Sequence, residues 1–448
     1  MNQRVFNCVF LLGVLMVIEG EAQQSLDGMI DRDLPALVAA YKVLHAAPEL
    51  SHHEEKTAAF LARELRSTGY TVTEHVGKYE RADWVGFGVV AVMKNGDGPT
   101  VLVRSDLDAL PLEEQTGLPY ASKIKVKDDR TDQVVGVMHA CGHDIHIVSL
   151  LGTAKMLAQS KERWRGTVVL IGQPAEETLD GARAMLNDGL YTRFPKPDYA
   201  IALHDWADLE AGNVGYVSGF AQASASSIDI TIRGVGAHGS RPNEAKDPIV
   251  IAAQVILALQ IIVSRENSPL DPAVVTVGSI HGGTARNIIP DEVRLQLTVR
   301  AYKEEVRKNI LVSIERIVRN TALAAGVPDE RAPIVTVSNT ERADALYNDP
   351  VLAERLARVF ETALGSRAVT RLTPLMGSED FGEFGLAAQI PQFFFRVGAS
   401  DPSKLADGRQ TGKPVPATHS PLFAPVPEPT IRAGVKAMTA AVLELLKH

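Results

Sequence analysis

The sequence has few cysteines, no excess of positive charge and no low-complexity tract. Its 448 residues include two cysteines, Cys8 and Cys141, so one disulfide at most can form. Lysine and arginine number 46 against 54 aspartate and glutamate, and the formal net charge of −8 is spread without long runs of one sign. The basic surface typical of nucleic-acid-binding proteins is therefore missing, and nucleic acid is not an expected partner. With 45% hydrophobic and 22% charged residues, the composition indicates a globular protein of roughly two or three domains.

The first residues have the layout of a secretory signal peptide. Arg4 precedes an apolar run over residues 5–18, and residues 20–22 (Gly-Glu-Ala) supply a small-x-small cleavage site. A run of about 14 residues is shorter than the roughly 20 that a membrane-spanning helix needs, which leaves a retained anchor as the alternative. No later segment is expected to span a membrane. The sequence thus predicts a signal peptide over residues 1–22, export to the periplasm or medium, no membrane contact after cleavage, and Cys141 as the single thiol of the mature chain.

Up to residue 219 the hydrophobic pattern alternates between helical and strand-like stretches. Short apolar runs predict buried parallel strands at residues 100–104, 166–171 and 198–203. Helical spacing predicts helices at residues 33–44, 53–68 and 145–159. Strands that alternate with helices predict an α/β fold, with an open, mostly parallel sheet covered by helices on both faces.

A different rhythm over residues 220–340 predicts a second, inserted domain. Strands are expected at residues 226–233, 273–281, 292–300 and 334–338, with helices at residues 248–264 and 304–325. The order β-α-β-β-α-β is that of a ferredoxin-like unit. Alternation of helix and strand returns afterwards, so the large domain is predicted to consist of residues 23–219 and 341–448. The proline-rich stretch 414–427 is expected to form a long ordered loop or a hinge.

Residues that can bind a metal follow several of the predicted strands. They are Asp106 and Asp108 after the first strand, Cys141 and His143 after residues 136–138, Glu176 and Glu177 after residues 168–171, His204 after residues 200–203, and His419 near the end of the chain. Because sites in open α/β sheets form beyond the carboxyl ends of strands, these side chains are expected to converge. Taken alone, each of these residues has an ordinary structural explanation. Four predicted strand ends that are each followed by a possible metal ligand indicate a shared metal site.

The residue types favour zinc, with manganese, cobalt or nickel as alternatives. Cys141 and His143 are separated by a glycine, which allows a sharp turn to aim both side chains inward. A thiolate, imidazoles and carboxylates together suit these ions. In an extended backbone Glu176 and Glu177 point to opposite sides, so one is expected to bind the metal and the other to act as a general base on an activated water.

Three other interpretations have weaker support. Residues 234–239 fit G-x-G-x-x-G, but a loop follows where a dinucleotide-binding site would begin a helix. Residues 52–55 have an H-x-x-E spacing, but they begin an amphipathic helix and are expected on the surface. The sequence lacks G-x-S-x-G, which disfavours a serine hydrolase, and a Cys–His nucleophile pairing would leave the paired glutamates unexplained.

The combined motifs resemble those of the M20 family of metallopeptidases. The resemblance is to its amidohydrolase branch, which includes hippurate hydrolases, N-acyl-amino-acid hydrolases and plant indole-acetyl-amino-acid hydrolases. The matching segments occur in order over nearly the whole mature chain, at residues 45–50, 105–111, 139–146, 173–177, 236–240, 287–290, 377–381 and 419–421. The resemblance implies a homodimer in which each subunit has a two-metal catalytic domain with an inserted dimerisation or lid domain.

The resemblance also implies roles for particular residues of the large domain. The implied metal ligands are Cys141, His143, Glu177, His204 and His419, with Glu176 as the general base. Where other branches carry an H-x-D motif, this chain has Arg104-Ser105-Asp106, so the histidine ligand is absent and His143 with Cys141 takes its place. Asp106 keeps the position of the acid that orients a ligand or the base.

In the inserted domain, the resemblance implies roles for three further residues. His238 would reach a catalytic site, that of its own chain or of a partner subunit, and donate to the developing oxyanion. Asn287 and Arg286 would hold the polar end of the substrate. A turn histidine beside glycines is the alternative explanation of His238.

The predicted reaction is hydrolysis of the amide bond that links an acyl group to an amino acid. Glu176 takes a proton from a metal-activated water and passes it to the leaving amine, while His238 stabilises the oxyanion. The nearest alternative is the same chemistry on free peptides, as in a dipeptidase or carboxypeptidase. An alternative from a different class is a non-catalytic binding homologue, which is disfavoured because every proposed ligand and the base are present.

Overall fold

The computed structural model describes residues 25–447. The predicted signal peptide and Cys8 lie outside the described residues, so cleavage and export stay predictions. The strands are β1 Thr71–Val76, β2 Gly88–Asn95, β3 Thr100–Asp106, β4 Lys125–Lys127, β5 Val134–Gly136, β6 Gly166–Gln173, β7 Tyr199–Glu210, β8 Val214–Tyr216, β9 Gly219–Gln222, β10 Ser224–Arg233, β11 Ala237–His238, β12 Ala273–His281, β13 Ile288–Ile289, β14 Glu292–Ala301, β15 Ile334–Ala343, β16 Leu346–Asn348, β17 Val369–Arg371 and β18 Gln392–Ser400. The helices are α1 Leu26–Ala46, α2 Glu55–Ser67, α3 His143–Gln159, α4 Gly181–Asn187, α5 Leu190–Arg193, α6 Pro248–Ile261, α7 Glu304–Ala324, α8 Pro350–Leu364, α9 Gly382–Ala388, α10 Pro402–Thr411 and α11 Pro427–Leu445.

The main sheet has eight strands in the order β1-β2-β6-β3-β7-β18-β8-β17. Its central strands β6, β3, β7 and β18 run parallel to one another. Strands β1 and β2 continue the sheet antiparallel at one side, and β8 pairs antiparallel with β18 at the other. The predicted α/β fold with an open, mostly parallel sheet is confirmed.

Helices cover both faces of this sheet. In β3, Val101 and Val103 pack into the core formed with α1, α3, α8 and α11, whereas Leu102 packs on the opposite face with residues of α4 and α9. Strands buried on both faces are continuous apolar runs, which is why the sequence pattern located them. Helix α11 approaches α3 closely at Gly152, where a Cβ would lie 2.3 Å from Val435 Cγ2.

A separate four-stranded antiparallel sheet has the strand order β12-β14-β10-β15. Helices α6 and α7 pack on it, and the buried side chains alternate along β10 and β14 as expected for a sheet with one covered face. The chain order and strand order are those of a ferredoxin-like unit, as predicted. Its strands lie between β8 and β17 of the main sheet along the sequence.

Helix α6 is more apolar than the sequence interpretation allowed. With the π-helical turn Ile262–Glu266 it makes the segment Pro248–Glu266, which is long and apolar enough to cross a membrane by length and composition. The expectation that no later segment could span is therefore wrong on that criterion. Ile251 and Val255 on one side of α6 pack into the core of the small sheet, while Leu257 on the other side is exposed. This packing is that of a core helix with one uncovered apolar face.

Two strand predictions next to the candidate site differ from the structure. Residues 136–138 do not continue a strand of the main sheet, because β5 ends at Gly136 and pairs with β4 in a separate two-stranded sheet. Strand β7 does not end at Leu203, because it keeps pairing with β18 as far as Glu210 after its pairing with β3 stops at Ala202. His204 consequently lies inside a strand.

Candidate metal centre

The predicted metal-binding residues converge at the carboxyl ends of β3 and β6. Asp106 is the last residue of β3, and Glu176 and Glu177 follow β6 within four residues of its end at Gln173. His204 comes from the neighbouring strand β7. Cys141 comes from the segment before α3, His143 is the first residue of α3, and His419 comes from the long loop before α11.

The turn that carries Cys141 depends on a glycine. Gly142 has a φ of 76°, and a Cβ there would lie 2.2 Å from Asp205 Oδ2. Helix α3 begins immediately afterwards at His143, and the partial positive charge of its N-terminus favours a nearby thiolate. Burial and the charges of Glu177 and Glu176 act in the opposite direction and raise the pKa of Cys141 well above its usual range, so the thiolate needs a cation beside it. The backbone N–H of His419 donates to the carbonyl of Ala140 at 2.7 Å, which brings the distant loop onto the same turn.

Two groups of possible ligand atoms share the Cys141 sulfur. Cys141 Sγ lies 3.4 Å from His204 Nε2 and 3.3 Å from His419 Nε2. His419 Nε2 lies 3.5 Å from Glu177 Oε2, and His143 Nε2 lies 3.9 Å from Glu177 Oε1. One group therefore contains Cys141, His143 and His204, and the other contains Cys141, Glu177 and His419.

Backbone carbonyls orient two of the histidines toward this cluster. His143 Nδ1 donates to the carbonyl oxygen of Asp108 at 2.8 Å, and His204 Nδ1 donates to that of Asp205 at 2.6 Å. A neutral imidazole that donates through Nδ1 has a lone pair on Nε2. Both rings are thus oriented so that, in the neutral form, Nε2 is available to a metal.

The interior of the cluster has polar atoms that a cation would satisfy. His143 Nε2 and Glu177 Oε1 are buried with no hydrogen-bond partner among the described residues. Oxygens of Asp106 and Glu176 lie 3.6 and 3.8 Å from the same His143 nitrogen. Burial opposes charge on His143, but Asp106 and Asp108 outweigh it and raise the pKa of His143 to about 10. A site that favours positive charge this strongly and offers sulfur, nitrogen and carboxylate donors fits divalent ions such as zinc.

The two consecutive glutamates are electrostatically unlike ordinary surface acids. Burial, with the charges of Glu379 and Glu177, raises the pKa of Glu176 well above its usual range. Burial raises the pKa of Glu177 to about 7. Glu177 belongs to a ligand group with Cys141 and His419, and both glutamates belong to a further group with His143. The arrangement favours Glu177 as the ligand and Glu176 as the base.

Two buried carboxylates hold the backbone of the glutamate turn. Ala175 has a φ of 51°, in the left-handed region that non-glycine residues seldom adopt, and its N–H donates to Glu54 Oε1 at 2.7 Å. The Glu177 N–H donates to Asp108 Oδ2 at 3.0 Å, and the Ser51 hydroxyl donates to the same oxygen at 2.7 Å. These hydrogen bonds to the backbone therefore fix the direction in which both glutamate side chains leave the turn.

A buried arginine occupies the position of the missing histidine ligand. Arg104 donates to Asp106 Oδ2 and Glu379 Oε1, each at 2.7 Å, and to Gln173 Oε1 at 2.8 Å. His146 Nδ1 donates to the other Asp106 oxygen at 2.6 Å. Asp106 is thus locked between a guanidinium and an imidazole and lies beside His143, which fits a positioning role better than proton transfer.

A cavity of about 680 Å³ opens above the cluster between the two sheets. Its lining includes Cys141, Glu176 and His419 from the large domain and Thr298 and Arg300 from the small sheet. The metal-binding groups are therefore accessible to a molecule the size of an acylated amino acid.

Comparisons with known proteins agree with this geometry. Residues 102–417 match the model of peptidase family M20/M25/M40. The chain belongs to peptidase family M20. A hippurate hydrolase of Campylobacter jejuni is 38% identical over 343 residues, 76% of this chain and 82% of the relative. An IAA-amino acid hydrolase of Arabidopsis thaliana is 32% identical over 418 residues, 92% of this chain and 85% of the relative.

Structural similarity extends over nearly the full length of the M20 chain. A solved dinuclear metal-binding peptidase of family M20 from Bacillus subtilis has a TM-score of 0.71 and 27% sequence identity, and the match covers 93% of this chain and 99% of that one. This M20 protein is therefore a metal-dependent hydrolase of amide bonds, as the sequence predicted.

Three predicted site residues are not brought to the cavity of their own M20 chain. His238 lies in β11, which pairs with β13, and its Nδ1 contacts the Ser240 hydroxyl at 2.7 Å. Arg286 and Asn287 are exposed on the segment leading into β13. The residues that line the cavity do not include any of the three.

One prediction about the H-x-x-E segment is wrong. His52 and Glu54 are not on the surface: 8% of His52 and none of Glu54 is exposed, whereas His53 and Glu55 are exposed as predicted. Glu54 is buried because it accepts N–H groups from His52 and from the distant Ala175. An acid at the start of an amphipathic helix gives no sign of such a partner in the sequence.

Loss of a shared ligand should lower the metal content of this M20 protein. We expect Cys141→Ser and His143→Ala to remove at least one divalent ion per chain, measured by inductively coupled plasma mass spectrometry after gel filtration. His53→Ala, at an exposed histidine, is the matched control and should keep the wild-type content. Wild-type occupancy in both ligand variants would contradict the assignment of these residues.

Glu54→Leu should lower kcat/KM by about 10- to 100-fold, the usual cost of losing a group that orients metal-site residues. The substitution leaves the N–H groups of His52 and Ala175 without an acceptor. Burial and the charge of Asp108 raise the pKa of Glu54 well above its usual range, so Glu54→Gln resembles the protonated acid and should keep most activity.

Glu55→Gln, at the exposed neighbouring acid, serves as the control for the Glu54 variants. Steady-state kinetics and metal content are measured for all three. Equal rates for Glu54→Leu and the control would show that the turn holds its shape without Glu54.

Proposed function

We propose that this M20 chain hydrolyses the amide bond of N-acyl-amino acids with two divalent ions, zinc foremost. The ligands would be Cys141, His143, Glu177, His204 and His419. The observation that carries the proposal is the pair of ligand groups that share the Cys141 sulfur beside Glu176, at the base of one cavity. Two relatives support the substrate class by name, a hippurate hydrolase and an IAA-amino acid hydrolase.

The protein groups divide the work of hydrolysis between them. When bound, the ions supply Lewis acidity to the amide carbonyl and lower the pKa of the attacking water. Glu176 lines the cavity beside His143 and Glu177, where its carboxylate would face the reacting water. Because its pKa is raised, Glu176 takes a proton from the water and can afterwards give it to the leaving nitrogen. Asp108 fixes Glu177 and His143 during these steps through one backbone N–H and one ring N–H.

Glu176→Gln should reduce turnover at least about 1000-fold while the protein retains its metal, because the amide keeps the shape of the base but accepts no proton. Purified protein is assayed with N-acetyl-, N-benzoyl- and indole-acetyl-amino acids beside dipeptides, and metal content is measured in the same samples. The exposed variant Glu55→Gln should retain wild-type rates.

The same panel separates the proposed substrate class from its rival. Cleavage of acylated amino acids faster than dipeptides supports the proposal. Cleavage of dipeptides alone would make the protein a dipeptidase, and no metal-dependent hydrolysis of any compound would leave it a binding homologue.

We further propose that the protein acts as a homodimer through the small sheet and its helices. Many of the large exposed apolar side chains belong to this part of the chain, namely Ile249, Val250, Leu257, Ile261, Leu270, Ile280 and Ile288. His238 and Asn287 lie side by side there, since the Gly239 N–H donates to the Asn287 carbonyl at 2.8 Å. A partner subunit would cover this apolar surface and place its own cavity next to His238 and Asn287.

Mixed dimers test whether His238 serves the partner subunit. Glu176→Gln and His238→Ala should each be inactive alone. When the two variants are co-expressed and assemble at random, about a quarter of wild-type activity should return, because each mixed dimer has one site with both residues intact. No recovery in a protein that gel filtration shows to be dimeric would mean that His238 acts within its own chain or not at all.

A further inference from the structure

Arg396 is a buried cation that has no counter-ion among residues 25–447. It lies in β18, is 3% exposed, and makes no ion pair or side-chain hydrogen bond with any described residue. Its Nη2 is buried without a partner among those residues. The contact that the guanidinium does make is with the face of Trp206, with its carbon 4.5 Å from the ring centre.

Arg104, the other buried arginine of the large domain, has the carboxylate partners that Arg396 lacks among the described residues. Arg104 is enclosed by Asp106, Glu379 and Asp380, which supply its negative charge. Removing a guanidinium from water is costly unless a hydrogen-bonded anion compensates, and one aromatic ring compensates only in part. Burial lowers the pKa of Arg396 to about 10, so the group is still charged at neutral pH. Stability alone does not account for Arg396 at this position.

The guanidinium belongs to the wall of the cavity above the metal-binding groups. Arg396 pairs in register with His204 across parallel strands, which lie about 4.8 Å apart, and both side chains line the cavity. Trp206, two residues beyond His204, lines it as well. Arg300 approaches from the small sheet, where its Nε donates to the Thr298 hydroxyl at 3.0 Å, and no carboxylate among the described residues pairs with it. This end of the cavity is cationic.

We infer that Arg396 binds a carboxylate of the substrate and selects for substrates that carry one. The inference rests on the proposed function and names the group recognised. A guanidinium offers two parallel N–H donors that match the two oxygens of a carboxylate, and a bound carboxylate would provide the missing counter-charge. The carboxylate is either the α-carboxylate of the amino acid or a second one in its side chain.

Kinetics of Arg396→Met on three related compounds test the inference. For N-benzoylglutamate, which carries both carboxylates, kcat/KM should fall about 100-fold, mainly through KM, because a buried charge pair with the substrate is lost. N-benzoylglycine, which carries only the α-carboxylate, shows which of the two is bound. For N-benzoylglycinamide, which has no carboxylate, kcat/KM should change less than about threefold. A loss confined to the glutamate compound identifies the side-chain carboxylate, and a loss on both acids identifies the α-carboxylate. Equal losses on the acids and the amide, or no loss, would overturn the inference.

Stability separates recognition from a structural role. Since an unpaired buried charge is replaced by an apolar side chain, Arg396→Met should keep or raise the melting temperature and keep the metal content. If that variant does not fold, Arg396→Gln is used, and a wild-type ratio of kcat/KM between acid and amide substrates would then overturn the inference.

A binding measurement distinguishes failure of this inference from failure of the proposed function. Glutarate is titrated calorimetrically into wild-type protein, Arg396→Met and the exposed control Arg265→Met. Binding to the wild type and the control but not to Arg396→Met supports the site even if no acylated amino acid is hydrolysed. Hydrolysis with glutarate binding unaffected by Arg396→Met leaves the proposed function in place and removes this inference.

Discussion

Negative charge concentrated in the protein interior is the constraint on which the site depends. Oxygens of Asp106, Glu176 and Glu177 all lie within 4 Å of His143 Nε2. Removing each carboxylate from water costs several kcal/mol, which the fold can offset only with positive charge close by. Arg104 supplies it on one side, and a proton or a metal supplies it on the other. Metal binding at these residues would therefore be coupled to folding through the same few oxygen atoms.

Hydrogen bonds to the backbone and to His143 determine the positions of these charged groups. Glu54 and Asp108 each accept a backbone N–H of the turn that carries the paired glutamates, and Asp108 also accepts the ring N–H of His143. Gly142 adds a turn that no larger residue could make beside Asp205. These hydrogen bonds limit the orientations that the ligand side chains can adopt, and the same contacts hold the strained φ of Ala175.

Sequence alone located most of the architecture, because buried strands and amphipathic helices have short-range periodicities that survive without tertiary information. The rule that sites form at strand ends holds for Asp106 and for the paired glutamates after β6. Cys141 and His204 were predicted by the same rule but do not lie at the ends of main-sheet strands. The ligand role of His419, which is 278 residues from Cys141, came from the resemblance to the M20 family. The burial of Glu54 was not predicted from the sequence, because its partner Ala175 is 121 residues away and the acid begins a helix with an exposed neighbour. The role of Arg396 was not predicted from the sequence for a related reason. A lone arginine in an apolar strand becomes informative only when the structure shows that no described carboxylate meets it.

Chemistry and recognition are assigned to different walls of the cavity. The proposed base and ligands all come from the large domain, at the ends of β3 and β6 and in the strand and loops beside them. The small sheet contributes Thr298 and Arg300, and Arg396 with Trp206 forms the wall beyond His204. A change in these outer residues would therefore alter which molecule is held without disturbing the buried carboxylates beside His143.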